Sequence, residues 1–208
     1  ALEDATRLTV IVFDKTGTLT MGQPEVVEIV AAPGVTEEDI LRVAAAVDAG
    51  SDHPLALAIV ERAKGLDLPK AADFVNVEGK GASASIDGAA VHLGNRRMMD
   101  DQGVSLGPLE AAAEALKGDG RTVIHVARAG RLTGLIAIAD APRPTAIATI
   151  RKLHEQGVKV AMLTGDNAGT AKKIAGVLGI DIVLADVLPG QKAEKIKELQ
   201  AGGEKVGM

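Results

Sequence analysis

The sequence predicts an α/β protein in two parts, one of them interrupted by the other. Three observations carry this. An apolar, β-branched run, Val10-Ile11-Val12, leads through Phe13 to Asp14, as a buried parallel strand would. From Pro144 onward, helix and strand patterns alternate with short connections, the mark of a parallel sheet. Between these segments, turns at Asp87-Gly88 and around Ala129-Gly130 join strand-like runs, the mark of an antiparallel sheet. The first strand shares the character of the last segments. A parallel-sheet domain is therefore expected over 1–23 and 134–208, with an α+β antiparallel-sheet domain inserted over 24–133.

Each element has its own signal. Glu25 to Ala32 reads as a second strand. Thr36 followed by Glu37-Glu38-Asp39 is an N-cap with an acidic first turn, opening a helix to about Val47. Ser51-Asp52-His53-Pro54 opens another to about Lys64, with proline at its first position. Strands are expected near 73–78, 81–87 and 89–93, then helices near 95–101 and 108–117. Gly118-Asp119-Gly120 turns the chain into strands at 121–128 and 132–139. The tail reads as a helix from Pro144 to His154, a strand Val158 to Leu163, a helix Ala168 to Leu178, a strand Asp181 to Leu184, a helix Gln191 to Leu199 and a strand from Lys205. Pro24 and the Asp140-Ala141-Pro142-Arg143-Pro144 run are the expected hinges, since proline stiffens a crossing and removes a backbone donor.

Composition narrows the function. Aromatics are 1% of the 208 residues, with no Trp or Tyr, so the core must be aliphatic and the usual stacking platform for single-stranded nucleic acid is missing. A net charge of −5 also argues against nucleic acid as a partner. With no cysteine, disulfides and thiolate metal sites are excluded. No apolar stretch approaches the roughly 20 residues of a membrane span, so a soluble unit is expected. The chain opens at Ala1 and stops at Met208 just as a strand begins, which reads as a piece excised from something longer.

The chemistry is concentrated in Asp14-Lys15-Thr16-Gly17-Thr18-Leu19-Thr20. Asp14 ends a strand where a polar loop begins, and ligands of open α/β sheets bind beyond the carboxyl ends of the strands. A carboxylate there can attack a phosphoryl group and hold it as an acyl phosphate. Thr164-Gly165-Asp166-Asn167 repeats the context: a strand ends, a helix starts, and a hydroxyl and backbone N–H groups offer an anion site. Lys192 lies in the first turn of a helix, where a cation opposes the macrodipole and so invites another role, such as neutralising phosphoryl oxygen.

The seven-residue run resembles the phosphorylation signature of P-type ATPases. Asp14, Thr164 and Lys192 follow the order that these pumps share with haloacid-dehalogenase-like phosphatases. The resemblance implies a haloacid-dehalogenase-like, Rossmannoid phosphorylation domain. It implies that Asp14 accepts the γ-phosphate of ATP, and that Lys15, Thr164, Gly165, Asp166 and Lys192 serve the transfer. Asp14 and the backbone of Thr16 would hold Mg2+. Soluble phosphatases carry a second Asp two residues after the nucleophile, as general acid and base. Here that position is Thr16, which cannot exchange a proton at neutral pH, so the acyl phosphate should persist. The family's Gly-Asp-Gly-x-Asn-Asp loop, whose first Asp binds magnesium, has no counterpart before Met208, so weak phosphorylation is expected.

The middle of the chain carries Ser51-Asp52-His53-Pro54-Leu55, Gly79-Lys80-Gly81 and Gly94-Asn95. These resemble the nucleotide-binding domain of heavy-metal-transporting P-type ATPases. The resemblance implies adenine recognition by His53, Gly79, Gly81, Gly94 and Asn95. Asp48 stands where the family has Glu, one methylene shorter. With so few aromatics, the base must be held by imidazole and by close backbone approach at glycine. Substituting Gly81 with Asp is expected to weaken ATP binding without unfolding the chain. His92, His125 and His154 have no ligand spacing and are expected on surfaces or strand faces.

Together these imply the ATP-binding and autophosphorylating unit of a heavy-metal exporter, with copper the expected cargo. It would work with ATP and Mg2+, beside transmembrane and actuator domains of the same chain, on the cytoplasmic face of a membrane. No site for the transported metal is expected within it. The alternatives are a soluble phosphatase of the same superfamily, or a nucleotide-binding module without chemistry.

Overall fold

The computed structural model describes residues 8–166 and 168–208; Asn167 of the Thr164–Asn167 run lies outside the described residues. The chain runs β1 (Val10–Asp14), a wide turn over Lys15–Leu19, β2 (Thr20–Ala31), α1 (Glu37–Asp48), α2 (Pro54–Arg62), β3 (Ala71–Val77), β4 (Gly81–Ile86) and β5 (Ala89–Gly94). It continues through α3 (Arg96–Asp101), α4 (Glu110–Gly118), β6 (Thr122–Arg128) and β7 (Arg131–Pro142). The last part is α5 (Ala146–Glu155), β8 (Lys159–Leu163), α6 (Ala168–Leu178), β9 (Ile182–Leu184), α7 (Lys192–Ala201) and β10 (Val206–Gly207). Among the described residues no helix is long and apolar enough to cross a membrane.

Contacts divide the chain into two units. The first is the chain up to Gln23, Gly118–Gly120 and Asp140–Met208; the second is Pro24–Lys117 and Arg121–Ala139. The sequence pattern drew the second crossing at 133/134. In the structure β7 runs unbroken from Arg131 to Pro142, so no turn marks the change at Ala139.

In the first unit the strand order is β10-β1-β8-β9, all parallel. Alternate residues of β1 serve opposite faces. Val10 and Val12 pack with Ala161, Leu163 and Val187, while Phe13 joins Val160, Met162, Ile150 and Leu178 on the other side. A parallel sheet covered on both faces needs apolar residues at every position, which is why its strands read as unbroken apolar runs. The register pairs Asp14 with Leu163, so Asp14 and Thr164 emerge at the same edge.

In the second unit the order is β2-β7-β6-β5-β4-β3, antiparallel from β3 to β7. Helices α1 and α2 cover one face through Ile40, Ala44, Val47 and Ile59 against Ile86, Val91, Leu93 and Ile136. Helices α3 and α4 cover the other through Met98, Met99, Ala113 and Leu116 against Val123, Ala127 and Leu135. The two expected turns form, each with two consecutive positive-φ residues: Asp87 and Gly88 at 51° and 74°, Ala129 and Gly130 at 50° and 73°. That geometry matches the twist of the strands it joins. Thr36 caps α1, its hydroxyl accepting from the Asp39 amide at 3.1 Å.

Candidate functional site

In the first unit the carboxyl edge of the parallel sheet gathers the residues singled out in the sequence for phosphoryl transfer. Asp14 ends β1, and Lys192, the first residue of α7, forms an ion pair with its carboxylate. Lys15 turns its ammonium to Asp166 Oδ2 at 2.5 Å. Thr164 is buried, and its amide donates to the Leu184 carbonyl at 2.9 Å while its carbonyl accepts from the Val187 amide at 3.1 Å. Its hydroxyl accepts from the Asp166 amide at 3.1 Å, closing a tight turn through Gly165. Thr16 is exposed in extended conformation, with φ −75° and ψ 124°. The result is two carboxylate–ammonium pairs at one sheet edge, Asp14 with Lys192 and Asp166 with Lys15.

Two further residues hold this loop, and the sequence pattern marked them only as hinge. Asp140 accepts from the Thr20 hydroxyl at 2.6 Å and from the Gly22 and Gln23 amides at 3.2 Å. Arg143 donates from its guanidinium to the Gly17 carbonyl at 2.8 Å and from its amide to the Leu19 carbonyl at 2.8 Å. The signal was present in the charges of the Asp140–Arg143 run, on which a hinge makes no demand.

In the second unit a cavity of about 360 Å³ brings together Asp48, His53, Gly79, Gly81, Gly94 and Asn95. His53 is the N-cap of α2 as well as a wall of the cavity: its Nδ1 accepts from the Leu55 amide at 3.2 Å. Asn95 caps α3, accepting from the Met98 amide at 3.2 Å and donating to the Gly79 carbonyl at 2.8 Å. Its amide is thus engaged on both sides and fixes the Gly79 loop. Gly81 and Gly94 are paired across β4 and β5. A Cβ on Gly81 would stand 1.9 Å from the Leu93 carbonyl oxygen, and one on Gly94 would stand 2.2 Å from that of Lys80. The expectation that Gly81→Asp leaves the fold intact is corrected here: a side chain at Gly81 meets backbone before it meets any ligand.

Asp48 ends α1 with its carboxyl buried at the cavity wall, and desolvation pushes its pKa from 3.8 to about 6. A raised folded-state pKa means that the protonated acid stabilises the fold. This stabilisation is complete below pH 3.8 and is lost as pH rises through about 6. The ionised group costs about 3 kcal/mol by this linkage. Asp48→Asn is therefore expected to raise the melting temperature at pH 8 and to leave it nearly unchanged at pH 4. A melting series over that range checks it, and an equal effect at both ends would contradict the burial argument.

None of the remaining histidines lines the cavity. His125 is on a strand face and fully buried, its Nδ1 3.0 Å from the Gly94 carbonyl oxygen, and burial lowers its pKa. His154 pairs with Asp181 at 2.8 Å, and His92 lies 3.1 Å from the Ser83 hydroxyl. Phe74 also lines the cavity, and no motif in the sequence points to it.

Comparison with known proteins agrees with this geometry. Residues 8–208 match the family model of haloacid dehalogenase-like hydrolases. A copper-transporting P-type ATPase of Rhizobium leguminosarum bv. viciae is 44% identical over the whole chain, and a silver exporting P-type ATPase of Salmonella typhimurium is 42% identical. The chain spans about a quarter of the length of such relatives, 25% and 26% for these two. Among solved structures, a zinc-transporting PIB-type ATPase in its E2.Pi state matches 99% of the chain with a TM-score of 0.77 and 36% identity; the match covers 33% of that protein. The catalytic CPx-ATPase domain CopB-B matches 99% of the chain with a TM-score of 0.72 and 28% identity, over 71% of its own length. With a sheet edge built around Asp14 and a family model that covers all but the first seven residues, the chain belongs to the haloacid dehalogenase-like hydrolase family.

Proposed function

We propose that the chain is the nucleotide-binding and phosphorylated part of a P-type ATPase that exports a heavy-metal cation. It would act at the cytoplasmic face of a membrane, with the transmembrane and actuator domains of the same protein as partners. The observation that carries this reading is Asp14 at the end of β1, paired with Lys192 and followed by Lys15 on Asp166. The second unit recognises the base of ATP through the cavity lined by Asp48, His53 and the paired glycines. The Asp14 carboxylate attacks the γ-phosphorus; a carboxylate O–P bond forms, the bridging P–O bond breaks, and ADP leaves with the electron pair. Lys192 and Lys15 offset charge on the phosphoryl oxygens, and the Thr164 hydroxyl and Gly165 backbone bound the anion site.

Magnesium fits the donors available. Asp14 would supply carboxylate oxygen and Thr16 a backbone carbonyl, and Mg2+ ordinarily takes the remainder of its six oxygens from water and substrate phosphate. Among the described residues no cluster of three His, Cys, Asp or Glu side chains forms a fuller cage. When bound, the ion neutralises phosphate charge. Thr16 favours a pump over a phosphatase, because a threonine hydroxyl two residues from the nucleophile cannot serve as the base that hydrolyses the acyl phosphate. Copper is named for the Rhizobium leguminosarum relative, silver for the Salmonella typhimurium one and zinc for the solved PIB-type ATPase, and we take copper as the cargo.

His53 separates recognition from folding. Because it caps α2, His53→Ala would lose a cap as well as a cavity wall. His53→Asn keeps a capping acceptor. It is expected to weaken ATP binding about tenfold in titration calorimetry, with a melting temperature within about 2 °C of the parent. An unchanged dissociation constant would leave His53 with the cap as its only role.

A further inference from the structure

Strand β3 pairs with β4 through Ala71↔Ile86 and Ala72↔Ser85, then shifts, and resumes with Val75↔Ser83, Asn76↔Ala82 and Val77↔Gly81. Asp73 and Phe74 thus stand opposite the single residue Ala84. This is a bulge, and Asp73 pays for it with a left-handed backbone at φ 54°. In a regular strand, residues 71 and 74 would face opposite sides of the sheet. The extra residue puts both on one face. Ala71 packs into the core there, and Phe74 lines the cavity beside Asn76.

Phe74 gains little from its own fold. It is 46% exposed and belongs to neither apolar cluster of the second unit. The other aromatic residue of the chain, Phe13, is packed against the core of the first unit. The wall around it mixes aliphatic side chains and glycine backbone, such as Ile59, Leu93 and Gly81, with polar groups that include Asp48, His53, Asn76 and Lys80. A flat ring left half-open on such a wall, and turned there by a bulge, suits a planar heteroaromatic partner.

We infer that the Phe74 ring is the stacking face for the base of the bound nucleotide, set in place by the Asp73 bulge. This rests on the nucleotide reading above and adds to it a specific contact. It also revises the expectation that a chain so poor in aromatics must hold a base without one. Loss of the stacking face reads as about a tenfold weaker affinity.

The test uses the 208-residue chain, which lacks any Trp or Tyr. Phe74→Leu keeps apolar bulk but removes the π face. Its ATP dissociation constant should rise about tenfold in calorimetry, whereas Phe74→Tyr should stay within about twofold of the parent. Inorganic triphosphate, which has no base, should bind the parent and Phe74→Leu alike. Phe74→Trp installs the sole tryptophan, and saturating ATP should quench its emission where triphosphate does not. If the parent binds ATP but Phe74→Leu binds it equally well and the Phe74→Trp emission is unmoved, the stacking assignment is overturned and the nucleotide site stands. If the parent binds no ATP, the nucleotide reading itself fails.

Discussion

Asp14→Asn is expected to abolish transfer of label from γ-labelled ATP to acid-precipitated protein, a loss of at least about a thousandfold. A carboxamide is close in shape to a carboxylate, and its oxygen can still accept from Lys192, so the sheet edge should keep its arrangement. It is a poor nucleophile, however, and cannot form the mixed anhydride. ATP binding measured on the same sample should survive, because Asp48, His53, Gly81 and Gly94 belong to the other unit. The parent label should be released by hydroxylamine, as an acyl phosphate is. Label that persists on the variant at the parent level would move the phosphorylated residue elsewhere.

A side chain at Gly81 is expected to cost about 4 kcal/mol or more, a large share of the stability of an ordinary domain. The reason lies in the backbone. Gly81 sits at φ 148°, and a Cβ there would lie 1.9 Å from the Leu93 carbonyl oxygen and 2.6 Å from the Gly94 Cα. Neither atom can move without opening the ladder between β4 and β5. Gly81→Ala should therefore lower the melting temperature of the second unit steeply, and Gly81→Asp should prevent its folding. Gly79→Ala is the control: φ is 69°, but nothing lies within 4 Å of the added carbon, so only the left-handed penalty of about 1–2 kcal/mol applies. Comparable melting temperatures for the Gly79 and Gly81 alanine variants would show that the strands part more easily than this geometry allows.

The elements were legible because each rests on local chemistry. Apolar β-branched runs gave the buried parallel strands, Thr36 with its acidic turn gave α1, and Asp87-Gly88 gave a hairpin with the expected positive φ values. What local pattern could not carry was anything set by register or by a distant partner. The bulge at Asp73 leaves no mark in the sequence beyond an aspartate, a residue that tolerates a left-handed backbone. Phe74 could not be assigned to a cavity without that bulge. Asp140 reads as a hinge residue until the Thr20 hydroxyl and the Gly22 and Gln23 amides are seen to converge on it. Asn95 is singled out in the sequence for a ligand, and only the structure shows that its side chain also caps α3 and holds the Gly79 carbonyl.

The split of the parallel sheet also sets an order of events on the ribosome. Val10 pairs with Lys159 and with Val206, so β1 leaves the exit tunnel long before either neighbour has been made. At about 5–20 residues per second, the roughly 150 residues between β1 and β8 take about 7–30 seconds to add. The inserted unit is nearly contiguous from Pro24 to Ala139 and can fold within that interval. An apolar strand ending in Asp14 must meanwhile wait unpaired, a nascent segment that invites a chaperone.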